Sequence, residues 1–125
     1  MAAKKANAAQ KQWMSDMAGW AECNLGLLYG DIYDGSEDIQ LHHVLGRSAK
    51  HNKVAVGHWF ILPVPFELHD VSSNHHFNVT HYKRNFTNQY GMQRDIFNKV
   101  YQGLKVCGYE VPGQEVYDAI MDTRA

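Results

Sequence analysis

The run Ile39-Gln40-Leu41-His42-His43-Val44-Leu45-Gly46-Arg47 decides how this chain is read. Ile39 to Val44 has the makings of a strand, and Gly46 soon after allows a twisted strand end. Gly46 to Lys53 is a polar connection carrying Arg47, Lys50, His51 and Lys53. Val54 to Leu62 is β-branched and aromatic and is followed by Pro63 and Pro65, which predicts the second strand of a hairpin, stopped by the prolines. In a regular strand adjacent side chains face opposite ways. His42 and His43 therefore share one site only if the strand is ending there.

Outward from the hairpin the pattern turns helical. Upstream, Trp13, Met17 and Trp20 predict a short amphipathic helix from Gln12 to Ala21. Met1 to Lys11 reads as a flexible basic arm or a frayed helix start, and Gly26 to Asp38, with Asp31, Asp34, Glu37 and Asp38, as a solvated loop. Downstream, Asp70 to His76 is turn-like. Val79, Tyr82, Phe86 and Tyr90 predict a helix that Gly91 stops. Met92, Ile96, Phe97, Val100, Tyr101 and Leu104 predict a second, and Pro112 suits the first turn of a third carrying Val116, Ile120 and Met121. Phe77, Tyr82, Phe86, Phe97 and Tyr101 are assigned to the core. The fold class expected is α+β, one domain over 1–125 with C-terminal helices over 92–125.

Composition narrows the function classes. A chain of 125 residues, 45% hydrophobic, builds one core and has no room for a second ordinary domain. Twelve Lys and Arg against 13 Asp and Glu give a formal charge of −1, so nothing is held on nucleic acid by global charge alone. An enzyme needs only a local basic path. Two cysteines, Cys23 and Cys107, are too few for a disulfide framework and match no metal spacing, as expected of free thiols in a reducing cytoplasm. No secretory signal and no bilayer-length apolar run is evident, so a cytoplasmic protein with no membrane partner is expected.

All eight histidines fall from His42 to His81, a crowding that core packing does not explain. Histidine is the commonest metal ligand and the usual general base near neutral pH. Phosphodiester hydrolysis needs an activated water, a cation at the leaving oxygen and ligands for that cation. His42-His43 could supply a ligand and a base, with His69, His75, His76 and His81 completing a metal site. Taken alone, His51 and His58 are better read as ordinary hydrogen-bonded residues. Arg47, Lys50 and Lys53 in the connection could hold substrate phosphates.

The 39–47 run resembles the first motif of HNH, or His-Me finger, nucleases. Leu62-Pro63-Val64 through Leu68-His69-Asp70-Val71-Ser72-Ser73-Asn74-His75, then His76-Phe77-Asn78-Val79-Thr80-His81 and Phe86 to Tyr90-Gly91, narrow the likeness. Over Cys23 to Gly91 the chain is similar to the phage recombination-enhancement (Ref) family of RecA-dependent HNH nucleases. The resemblance implies a ββα-metal core over 39–91 and a DNA endonuclease of phage recombination or DNA processing. It implies His43 as the general base, His42, His69 and His81 as metal ligands with His75 and His76 as alternates, and one divalent ion, Mg²⁺, Mn²⁺ or Zn²⁺. DNA is the implied partner, with a RecA filament as the partner the family name adds. A catalytically weak HNH-fold module that binds DNA or protein is the alternative.

Two departures from the family accompany the likeness. The middle Asn of many HNH enzymes would fall near Phe60, where His58 is the nearest substitute for orienting the base. Many relatives also carry a Cys-x2-Cys pair upstream and a Cys-x2-His pair before the closing His. Here those stretches read Cys23-Asn24-Leu25-Gly26 and Pro65-Phe66-Glu67-Leu68. Three ligand positions of a closed tetrahedral site are gone, so no structural zinc is expected. Packing of Leu68 with Phe66 and with Trp20 or Leu25 is expected to take its place.

Overall fold

The computed structural model describes residues 5–125 as an α+β fold. Helix α1 (Ala8–Ala21) buries Trp13, Met17 and Ala21, an i, i+4, i+8 stripe. It begins earlier than its apolar stripe suggests because Asn7 and Gln10 form a reciprocal capping box, each side chain bonding the other's backbone N–H. Of the two expectations for 1–11, an arm or a helix start, the helix start holds from Ala8 on; residues 1–4 lie outside the described residues. The expected loop likewise contains a short helix, α2 (Leu25–Tyr29), which buries Leu25, Leu28 and Tyr29.

Strand β1 (Ile39–His43) falls where expected, but the pairing beyond it does not. The connection folds back as its own small hairpin, β2 (Lys50–His51) with β3 (Val54–Ala55). The true partner of β1 is β4 (Ile61–Pro65), antiparallel in the register His43↔Ile61 to Ile39↔Pro65. Pro63 and Pro65 thus lie inside the strand they were expected to end. Backbone bonds flank the ladder at Val44 N to Phe60 O and Phe66 N to Asp38 O. Alternation between them leaves the two prolines at non-hydrogen-bonded positions, where no N–H is asked to pair with β1.

All five β4 residues are buried, whereas β1 is half-buried throughout. A strand covered on both faces reads as a continuous apolar run, and helices α1, α2 and α5 (Gln93–Val106) all pack on β4. The core joins Trp13, Met17, Phe60, Leu62, Phe86, Ile96, Phe97, Val100 and Leu104. Burying each large apolar side chain contributes about 1.5–3 kcal/mol.

After β4 the chain makes an unforeseen single turn, α3 (Phe66–His69), and then the expected turn-rich segment. Helix α4 (Lys83–Tyr90) starts four residues later than Val79 and stops at Gly91, whose φ of +97° suits glycine. Tyr82, assigned to the core, is instead exposed, with its hydroxyl donating to Asn74. Helix α6 (Gln114–Met121) is capped by Gly113, so Pro112 precedes its first turn. Among the described residues no helix is long and apolar enough to cross a membrane.

Candidate functional site

The end of β1 carries two adjacent imidazoles, and strand alternation sends them to different neighbours. On one side His42 meets His69, ring centroids 4.9 Å apart, where α3 delivers His69 from the end of β4. On the other side His43 Nε2 lies 3.2 Å from Nδ1 of His58, with the rings edge to face. His58 is 7% exposed.

The hydrogen bonds of the first pair fix which nitrogen carries the proton. His42 Nε2 is 3.0 Å from Oε1 of Gln93, at the start of α5. An amide oxygen only accepts, so His42 donates from Nε2 and keeps a lone pair on Nδ1. His69 donates from Nδ1 to Oε1 of Gln40, leaving its Nε2 lone pair. The Gln40 amide is itself held the right way round, because its Nε2 donates to Oδ1 of Asp70 at 2.9 Å. Hydrogen bonds from Gln40 and Ser72 depress the Asp70 carboxyl to about 2, so this anchor stays ionised at any working pH.

Charge state follows from burial. Burial, then the neighbouring His69, lowers His42 to about 4, and Gln93 opposes this only in part. Burial also lowers His69, against Asp70. His43 is lowered by burial, then by His58 and Arg47. At neutral pH all three rings are uncharged, the state in which imidazole ligates a metal or accepts a proton.

The other histidines are placed as follows. His81, on the exposed segment before α4, has Nε2 2.8 Å from the Val71 carbonyl oxygen. His75 and His76 stack on each other at 4.7 Å; His75 accepts from the Phe77 N–H of its own loop and lies 3.9 Å from Glu67 of α3. His51 bonds Asp122 at the end of α6. Among the described residues no three His, Cys, Asp or Glu side chains converge as a ready-made cage. The structure thus brings His42 and His69 together, and sets His43 on His58.

The three expected phosphate contacts separate. Arg47, exposed in the turn after β1, lines a cavity of about 350 Å³ together with His43 and His58. Gly57 lets the chain approach this turn, since a Cβ there would collide with the Arg47 carbonyl oxygen. Lys50 is exposed on β2, and Lys53 is at the tip of the small hairpin.

Three residues of the site went unnoticed in the sequence. Gln40 shares strand parity with His42, and that i, i+2 relation was a usable signal. Asp70 follows His69 directly. Gln93 is 51 residues from His42 and carries no local signal. Compared with known protein families, characterised proteins and solved structures, the chain matches none.

Proposed function

We propose that the chain is a metal-dependent DNA endonuclease of the HNH, or His-Me finger, type, acting in phage recombination or DNA processing in the bacterial cytoplasm. In this reading β1, β4 and the helical segment after them form the ββα-metal core. The observation that carries it is the pair of neutral imidazoles at His42 and His69, each with one N–H anchored on a glutamine oxygen and one lone pair left over. Such outer partners are what orient metal-ligating histidines. The imidazole donors suit Zn²⁺ or Mn²⁺ best, and Mg²⁺ only with waters filling most of its shell; the divalent ion would be held by His42 and His69. His81 is the third ligand and His75 or His76 the alternates; each would swing from its present loop contact.

When bound, the ion supplies positive charge to the scissile phosphate and the departing 3′ oxygen. The chain's own residues do the rest. With its Nε2 held against His58, His43 in the Nε2–H tautomer keeps its Nδ1 lone pair for a water proton. The water oxygen bonds to phosphorus in line with the leaving oxygen, the P–O3′ bond breaks, and the proton passes to His43. His58 takes the orienting part of the missing amide. Arg47, Lys50 and Lys53 hold backbone phosphates. DNA is the partner, and a RecA filament that opens the duplex is a second one.

One observation favours a second reading, a module that binds DNA or protein without cutting: no third ligand side chain joins His42 and His69 among the described residues. A supercoiled-plasmid nicking assay with Mg²⁺ or Mn²⁺, with and without RecA and single-stranded DNA, separates the two. Nicking by the wild type is expected. His43→Ala should lower turnover by about a hundredfold or more with metal and DNA binding retained, whereas His42→Ala should weaken metal affinity as well. Nicking by His43→Ala at the wild-type rate overturns the base assignment. DNA binding without any nicking by the wild type selects the module.

A further inference from the structure

The cavity that His43 and His58 open into is also lined by Lys5, Lys11 and Arg47, and no carboxylate lines it among the described residues. Lys5 and Arg47, with His58, line a second cavity of about 410 Å³ as well, so the two meet at these residues. The second is walled by polar Asn7, Gln10 and Ser48 and by Trp59. In a chain whose formal charge is −1, three cations facing one groove form a local positive field that the global balance hides. Lys11 lies on the first turn of α1 and Lys5 just before its N-cap, Asn7, in a segment where a flexible arm or a frayed helix start is the expectation. It is fixed here by the capping box of Asn7 and Gln10 and by the bond from the Trp13 indole N–H to the Trp59 carbonyl at 3.0 Å.

The geometry points to this groove as the binding track of one nucleic-acid strand, with Lys5 and Lys11 on one bank and Arg47 on the other gripping successive phosphates beside His43. The inference deepens the nuclease reading and rests on it for the role of His43, but the groove's ligand class follows from its own charge and shape. Phosphodiester backbone is the anion that repeats along a track; a single small anion would need only one end of it. Contacts of this kind position a strand without reading its bases. The track also divides the basic residues: Lys5, Lys11 and Arg47 face the groove, while Lys50 and Lys53 serve flanking backbone.

The test is fluorescence anisotropy of a labelled single-stranded oligonucleotide on the full chain in EDTA, across a salt series, with a duplex of the same sequence as the second arm. Each phosphate gripped contributes about 0.7 to the slope of log K against log salt for a single strand and about 0.9 for a duplex. Lys5→Gln/Lys11→Gln, at two exposed positions of which only the second is helical and keeps its helix propensity as Gln, should reduce the single-strand slope by about 1.4. Lys99→Gln/Lys105→Gln on α5, removing the same charge elsewhere, should keep the wild-type slope. An unchanged slope in the first variant, or an equal loss in the second, overturns the track, as does a slope change confined to the duplex. Because cleavage is silent in EDTA, the two readings fail separately. A lost slope with no nicking in Mg²⁺ keeps the track and removes the nuclease; nicking with an unchanged slope does the reverse.

Discussion

His42 sets a pH dependence whose sign can be worked out from its surroundings. Its folded value is about 4 against an ordinary 6.5, chiefly through burial. Between those values the unfolded chain binds the extra proton and the folded chain does not, so stability rises with pH across that window. The contribution is full above 6.5, is lost as pH falls towards 4, and amounts to about 3 kcal/mol. His69 and His43 are lowered too and act in the same direction. Asp70, held at about 2, acts only below the ordinary carboxylate value. Urea denaturation in EDTA should therefore show a midpoint that drops from pH 7.5 to 4.5, and His42→Gln should flatten that drop. An equally steep drop in the variant would place the titration elsewhere. The crowding of imidazoles was legible from composition and the His42-His43 pair from the sequence itself, whereas the residues alone read His58 as an ordinary hydrogen-bonded histidine and its contact with His43 is set by the fold. The anchors were not: Gln93 reaches His42 only because α5 packs on β4, a tertiary fact that no window of sequence contains.

The strands were half legible. β1 was readable because its two ends are marked, whereas the partner was mistaken because Pro63 and Pro65 read as a stop. They are tolerated because their missing N–H groups fall at non-hydrogen-bonded positions, and parity of that kind is set by register rather than by composition. The small hairpin was equally hidden. Its turn, Asn52-Lys53, has φ of +51° and +68°, the both-positive pattern of a type I′ connection. Asparagine suits this region; lysine does not, and a non-glycine residue there costs roughly 1–2 kcal/mol. A strained lysine at an exposed tip gives a reason to test the proposed role of Lys53 as a phosphate contact. Lys53→Gly should raise stability by about 1 kcal/mol in urea while lowering the salt slope for duplex DNA. A variant that gains stability and binds DNA with the full slope would show that the lysine has no such task.

At the scale of the whole molecule, the question is what holds the α2 segment to the sheet at the place where nucleases of the proposed type carry four zinc ligands. Cys23 is exposed and Leu68 is fully buried, but Phe66 is 41% exposed, so the expected Leu68–Phe66 packing forms only on the Leu68 side. Two tyrosines make the remaining ties. The Tyr29 hydroxyl donates to the Pro63 carbonyl at 2.7 Å, and the Tyr33 hydroxyl donates to the Glu67 carboxylate. Both bonds run from α2 or the residues after it to β4 and α3, spanning the stretch between Cys23-x2-Gly26 and Pro65-x2-Leu68. Burial raises both phenols far above their ordinary range, so they remain donors at any working pH. One thiolate with no partner ligands cannot hold a tetrahedral ion, and a hydrogen bond to a charged acceptor contributes about 1.5–3 kcal/mol where it is shielded and less where it is half exposed. The chain should therefore carry at most one metal ion, at the histidines of β1 and α3. Cys23→Ser should leave the urea midpoint and the metal ratio unchanged, while Tyr33→Phe should cost about 1 kcal/mol with the same metal ratio. Elemental analysis near two ions per chain, or anomalous scattering at the Cys23 sulfur, would show instead that a second metal ties the segment down and that the tyrosines only accompany it.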